Sequence, residues 1–150
     1  MLLAEALARR AEADERLRAL TQRLTQGALI QEGDTPAEDP AELLAETAHL
    51  LTEIETLVRR INHTNSQTPF EGATLTDALA RRDATLRARR LYSQVADAAA
   101  ARQDRYSRSE VRFVPTVDVA QLRKMADDAA KAYRELDTKI QQANWSTQLL

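Results

Sequence analysis

The densest group of side chains that could do chemistry lies between residues 102 and 112. This segment holds four Arg, two Ser and one Tyr. Guanidinium and hydroxyl groups suit the binding of phosphate, and a tyrosine ring can stack on a nucleic-acid base. The pattern predicts a candidate anion-binding site formed by Arg102, Arg105, Tyr106, Ser107, Arg108 and Arg112.

The distribution of charge supports a second interpretation of the same segment. Residues 74–112 contain nine Arg and five acidic residues, whereas residues 1–64 contain seven Arg and twelve acidic residues. Charged runs are mostly solvated or paired faces, so we favour internal pairing of these arginines with carboxylates of the first half. Nucleic acid is therefore the less favoured partner. The net charge of −2 gives the protein no overall positive potential that would attract a nucleic acid.

The spacing of Glu46 and His49 matches the Glu-x-x-His pattern of carboxylate-bridged di-iron bundles. Such a site needs a second copy of the pattern, but the other histidine, His63, follows Arg60 at that spacing. His49 also lies beside the apolar stripe that contains Leu50, which predicts an exposed side chain. We expect no metal and no cofactor.

An enzyme is not supported by the remaining polar residues. The chain has no Cys, its three Gly stand alone, and its Ser and His residues form no recognisable set of nucleophile, base and orienting group. A polar run at residues 62–68 offers Asn62, Asn65 and Ser66. Such residues often end a helix, although function also concentrates at these positions, so a ligand pocket is the alternative.

Four amphipathic segments must position all of these side chains. With 43% apolar residues and few Gly or Pro, the 150-residue chain predicts an all-α fold in one domain, residues 1–150. We expect four long helices in an antiparallel bundle, with Gly27 ending the first in a left-handed conformation and Leu44, Leu51 and Val58 widening the core face of the second. The first predicted helix covers about residues 2–26, the second begins at 40 and ends near 62–65, the third covers about 75–104, and the fourth begins at 118 with an apolar stripe that reaches Ala143. Asp39, Thr74 and Asp118 are the residues predicted to cap the starts of the last three.

Two of the connections contain residues that favour strands. The runs at residues 28–36 and 110–115 could pair as a short two-stranded β-ribbon at one end of the bundle, since Val111 and Phe113 alternate with polar residues. Two short strands are marginal without packing, so the ribbon is an optional element of the prediction.

The third helix carries two apolar rows on opposite sides. One contains Leu75, Leu79 and Leu86 and is bordered by Arg82 and Arg89. We expect these arginines, and Arg10 at a core position of the first helix, to pair with Glu or Asp from a facing helix. The second row runs in steps of three and four, a spacing typical of two packed helices, and exposed apolar rows mark interfaces. We predict a homo-oligomer that forms through this row, with the candidate interface residues Ala84, Ala88, Leu91, Val95 and Ala98.

Several stretches resemble the small bacterial proteins of uncharacterised function that are sometimes labelled septicolysin-like. They include Gln31–Asp34, Glu38–Pro40, Thr64–Thr68, Arg102–Glu110 and Tyr133–Asp137, so the resemblance spans nearly the whole chain. It directs attention to the polar runs at 62–68 and 102–110, and it implies no established activity.

The sequence therefore predicts a non-enzymatic helical module for interaction or structure, whose partner is another copy of itself. The alternative is a module that binds phosphate or nucleic acid through residues 102–112. Glu5 interrupts the apolar core that a signal peptide would need, and no stretch is long enough for a membrane span, so we expect a cytoplasmic protein with no membrane contact.

Overall fold

The structure is mainly α-helical, as predicted. The computed structural model describes residues 1–101 and 112–150. In these ranges four helices occur, together with a two-stranded antiparallel ribbon between the second and third helices. The elements are α1 (Leu3–Gln26), α2 (Pro40–Gln67), β1 (Pro69–Phe70), β2 (Ala73–Thr74), α3 (Leu75–Ala100) and α4 (Val119–Ser146).

The helices begin where the sequence places capping residues. Asp39 accepts a hydrogen bond from the Ala41 amide at 2.8 Å, with Pro40 at the first helical position. Thr74 and Asp77 form a reciprocal capping box, and Asp118 accepts from the Gln121 amide at 3.0 Å. These local bonds satisfy amide groups that have no partner inside the helix, which is why the starts were predictable.

The helix ends differ more from the prediction. α2 continues to Gln67 and α3 stops at Ala100. Gly27 has φ −91°, so α1 does not end in the left-handed conformation that the sequence suggested. The Gly27 amide instead donates to the Arg23 carbonyl at 3.0 Å, which closes the last turn without a positive φ.

The chain divides into two compact units, and the first comprises Met1–Pro69 with Gln142–Leu150. Its main element is an antiparallel hairpin of α1 and α2, with a core that contains Ala13, Leu20, Leu43 and Leu50. The chain ends also pair in this unit, because the Leu3 amide donates to the Thr147 carbonyl and the Leu149 amide donates to the Met1 carbonyl.

Three ion pairs follow one side of the α1–α2 hairpin. Arg9, Arg16 and Arg23 are spaced seven residues apart on α1 and pair with Glu53, Glu46 and Glu38. A spacing of seven returns to the same helix face, so the three arginines line a single edge. The pairs fix the register of two antiparallel helices.

The second unit, Phe70–Gln141, contains the ribbon turn, α3 and most of α4. Arg82 donates to Asp137 of α4 at 3.1 Å, and Arg123 of α4 pairs with Asp97 at 2.7 Å. These two pairs show that α3 and α4 run antiparallel within the unit. The first of them confirms the acidic partner predicted for Arg82. Arg10 is half-buried and Arg89 is exposed, and neither forms an ion pair with another described residue, so the prediction is wrong for these two.

Two predictions about side-chain and strand placement are wrong. The ribbon joins residues 69–70 to 73–74, whereas residues 28–36 and 112–115 form no strand. A six-residue hairpin, residues 69–74, needs no long-range pairing, whereas the predicted ribbon did. Leu44 and Leu51 are 58% and 52% exposed, so they do not widen the core face of α2, and Val58 is half-buried.

Candidate functional site

The second apolar row of α3 lies at the surface. We call its five residues, Ala84, Ala88, Leu91, Val95 and Ala98, the α3 strip. Leu91 is 56% exposed, Ala84 and Ala98 are exposed, and Ala88 and Val95 are half-buried. The opposite side of α3 carries the buried residues Leu75, Ala78 and Ala96. Of the first predicted row, Leu75 is buried and Leu79 and Leu86 are half-buried, so the two rows differ in exposure.

A groove continues the α3 strip toward the start of α4. It has a volume of about 390 Å³, with Val95, Ala98 and Ala99 on one wall and residues 113–117 on the other. Phe113 is 73% exposed and Val114 is 66% exposed. Contiguous exposed apolar surface of this kind is typical of sites that contact another protein.

Basic side chains border the α3 strip. Helical spacing places Arg87 and Arg90 along one flank, next to Ala84 and Leu91. Both arginines are exposed, and neither forms an ion pair with another residue in the described part of the chain. Asp83 and Asp97 lie on the same flank but are paired with Arg82 and Arg123, so Arg87 and Arg90 supply the unpaired charge along this edge.

A second concave surface lies at the closed end of the α1–α2 hairpin, where the two helices are joined. We call it the hairpin-tip cleft, and its volume is about 560 Å³. The last turn of α1, the connecting loop and the first turns of α2 supply its mostly apolar walls. The lining includes Leu24, Ala28, Pro36, Ala37, Pro40, Leu43 and Leu44.

The surroundings of the hairpin-tip cleft are acidic. Residues 24–58 contain no Lys or Arg and eight acidic residues. Arg23 donates from Nε to Glu38 at 2.9 Å and pairs with it through a second nitrogen, and this hydrogen bonding lowers the pKa of Glu38. Glu32, Asp34 and Glu42 are exposed and form no ion pair with another described residue.

Sequence reasoning missed the hairpin-tip cleft. Its walls come from two helix ends and a loop, so they meet only when α1 folds back against α2. Residues 24–58 contain no Lys or Arg, but the apolar pair Leu29 and Ile30 in the connecting loop does not line the cleft. Leu29 is 91% exposed in the structure.

The candidate anion-binding segment lies almost entirely outside the described residues. Arg102, Arg105, Tyr106, Ser107 and Arg108 belong to the range 102–111, and the site they were predicted to form stays a prediction. Arg112 is described and is exposed.

The polar run at residues 62–68 lies mostly on the last turns of α2. Asn62 and Ser66 are exposed and Asn65 is half-buried. Between them Thr64 is fully buried; it donates to the Arg60 carbonyl and accepts from the Leu150 amide at 3.0 Å. Arg60 also donates to the Leu150 carbonyl at 2.8 Å. The run therefore anchors the last residue of the chain against α2, a contact that no local pattern indicated.

The Glu46 and His49 pair is not arranged for metal binding. Glu46 is engaged by Arg16, and His49 is exposed beside Arg9, Glu53 and Arg60. Among residues 1–101 and 112–150, no group of three His, Cys, Asp or Glu side chains is close enough to hold a metal ion. None of the described helices combines the length and apolar character that crossing a bilayer requires.

Comparison with known proteins places the chain in a family. The model of a family of unknown function, DUF6847, matches residues 10–149. The chain belongs to this DUF6847 family. It is also similar to a functionally unknown conserved protein from Corynebacterium diphtheriae with a solved crystal structure. The two are 56% identical over 100% of this chain and 99% of that one, with a TM-score of 0.93. No curated protein matches this DUF6847 chain.

Proposed function

We propose that this protein is a non-enzymatic interaction module that associates with further copies of itself through the α3 strip. The observation that carries the proposal is the exposure of Leu91, 56%, within a row of apolar residues spaced for helix packing. The groove beside residues 113–117 continues from the same surface.

The composition of the α3 strip suits close packing against another helix. Three of its five residues are Ala, which lets a second helix approach closely, while Leu91 and Val95 supply the larger apolar contacts. Burying such residues against a partner removes apolar surface from water, and this is the main favourable contribution to protein association.

The side chains that suggested chemistry do not favour an enzyme. Glu46 is held by Arg16 on the hairpin edge, and His49 lies exposed among Arg9, Glu53 and Arg60. An interaction role uses the exposed apolar surfaces instead.

Light scattering coupled to size-exclusion chromatography tests the proposal. We expect the wild-type protein to show a mass that is a multiple of 16.8 kDa. The Leu91→Glu variant places a charge in the contact and should associate at least tenfold more weakly, because a charge buried without a partner is costly. Thr76→Glu is the matched control, since Thr76 is exposed on α3 outside the strip.

Two results would overturn the proposal. One is a wild-type protein that has the mass of a single chain at every concentration tested. The other is a Leu91→Glu variant that keeps the wild-type mass. Circular dichroism should give the same helix content for all three proteins, since Leu91 is not part of the buried core.

A further inference from the structure

The α3 strip is poorly suited to pair with the same strip of a second copy. A two-fold contact between antiparallel helices centred between Ala88 and Leu91 would set Arg90 of one chain near Arg90 of the other. The same register would bring Asp83 of one copy opposite Asp97 of the other. Each of these aspartates is already paired within its own chain, with Arg82 or Arg123, so the repulsion that disfavours this self-paired contact is the one between the two Arg90 side chains.

The hairpin-tip cleft has the complementary character. Its walls are mainly apolar, with Leu24, Leu43 and Leu44 among them, and a volume of about 560 Å³ can admit several apolar side chains. The exposed carboxylates of Glu32, Asp34 and Glu42 lie on the segment that builds the cleft.

The basic charge nearest to the cleft is already neutralised. Arg23 lines the wall, but Glu38 holds it through two hydrogen bonds. Four acidic residues of the segment from 24 to 58, Glu38, Glu46, Glu53 and Glu55, are paired with arginines in the same way. Apart from Asp39, which caps α2, the exposed carboxylates that form no ion pair with a described residue are therefore Glu32, Asp34 and Glu42. Surfaces of opposite sign favour association and select against contacts between like surfaces.

We propose that the hairpin-tip cleft of one copy receives the α3 strip of another, so that the protein assembles head-to-tail. This inference rests on the proposed function, because it names the surface that the α3 strip contacts. In the contact, Leu91 and Val95 enter the cleft while Arg87 and Arg90 face Glu32, Asp34 and Glu42. A head-to-tail contact leaves one strip and one cleft available at each step, which produces rings or open chains.

A complementation experiment tests the head-to-tail contact. Leu91→Glu disables the strip but keeps the cleft, and Leu44→Glu disables the cleft but keeps the strip. We expect each variant alone to have the mass of a single chain and to associate at least tenfold more weakly than the wild-type protein. An equimolar mixture should form a particle of two chains, since only one productive contact can be made between the variants.

Leu51→Glu is the matched control for the cleft. Leu51 lies on the same helix as Leu44 with a similar exposure, 52% against 58%, but it does not line the cleft. The Leu51→Glu variant should keep the wild-type mass. Unchanged helix content and thermal unfolding establish that each variant is folded before the masses are compared.

The outcomes separate the two proposals. If Leu91→Glu has the mass of a single chain while Leu44→Glu keeps the wild-type mass, the strip assembles elsewhere and the cleft assignment fails alone. A mixture without two-chain particles, or a Leu51→Glu variant as disruptive as Leu44→Glu, also overturns the cleft assignment. If Leu91→Glu keeps the wild-type mass, the proposed function itself fails.

Discussion

The turn between β1 and β2 uses two consecutive residues with positive φ. Glu71 has φ 46° and Gly72 has φ 82°. Glycine adopts this conformation without a side-chain penalty, whereas glutamate does not. Glu71 is held there by Lys139 and by Arg81, whose Nη2 donates at 3.2 Å, and these hydrogen bonds lower the pKa of Glu71. Glu71 therefore forms two ion pairs while it adopts a positive φ that glutamate disfavours.

The glycine of this turn provides a test at the scale of one residue. Gly72→Ala should lower the free energy of unfolding by about 1 kcal/mol, because a Cβ at positive φ is strained. No heavy atom lies within 4 Å of the added Cβ, so the cost comes from the backbone alone. Urea denaturation followed by circular dichroism measures the change.

Gly27→Ala is the control for this substitution. Gly27 has φ −91°, which alanine adopts readily, and its Cβ would lie 3.4 Å from the Arg23 carbonyl oxygen. We expect stability to be unchanged or raised by up to about 1 kcal/mol, since alanine restricts the unfolded chain. If both variants lost the same free energy of unfolding, the positive φ of Gly72 would not be the cause of the loss.

At the scale of elements, the α1–α2 hairpin has two unlike edges. The edge with Arg9, Arg16 and Arg23 is closed by ion pairs to α2. Helical geometry places Leu44 and Leu51 away from that edge, and both are exposed. Exposed ion pairs contribute little to stability. These three pairs therefore determine the register of α1 against α2 more than they contribute to the free energy of folding.

Adjacent leucines of α2 should respond differently to truncation. Leu50 is 9% exposed in the hairpin core, and Leu50→Ala should lower the free energy of unfolding by about 2–3 kcal/mol through lost burial and a residual cavity. Leu51 is 52% exposed, and Leu51→Ala should change it by less than about 0.5 kcal/mol. Chemical denaturation of the two variants distinguishes them, and similar losses would contradict the placement of Leu51 outside the core.

At the scale of the whole molecule, the charges of the sequence are separated along the chain. The segment from 24 to 58 contains only acidic charges, whereas α3 contains five Arg and three Asp. In the proposed head-to-tail contact, the exposed groups that form no ion pair with a described residue are Arg87 and Arg90 on α3 and Glu32, Asp34 and Glu42 on the other segment. Such a contact combines burial of apolar groups with attraction between exposed charges.

The salt dependence of self-association tests that attraction. Raising the ionic strength from about 0.05 to 0.5 M should weaken association severalfold, because salt screens exposed charges. Sedimentation velocity at matched protein concentrations measures the effect. A contact in which Arg90 meets Arg90 of a second copy would instead strengthen with salt, and that result would count against the acidic cleft as the partner surface.

Much of the local structure could be predicted from the sequence. The caps Asp39, Thr74 and Asp118 accept hydrogen bonds from amides two or three residues away, so the neighbouring residues are enough to predict where these helices begin. The two rows of α3 were likewise predictable because helical periodicity assigns each residue a direction. Helix ends were less accurate, since α2 reaches Gln67 through bonds that also involve the buried Thr64.

The sequence by itself determined the helical class, the starts of three helices and the apolar row that contains Leu91. Only the tertiary structure decided which rows are buried. Leu50 and Leu51 are the same residue type, but α1 covers Leu50 and leaves Leu51 exposed. It also decided that Arg60 and Thr64 hold Leu150, and that Leu24 and Leu44 share a cleft. The reason is physical: periodicity is a local property of the chain, whereas burial and pairing depend on residues that folding brings together from distant positions.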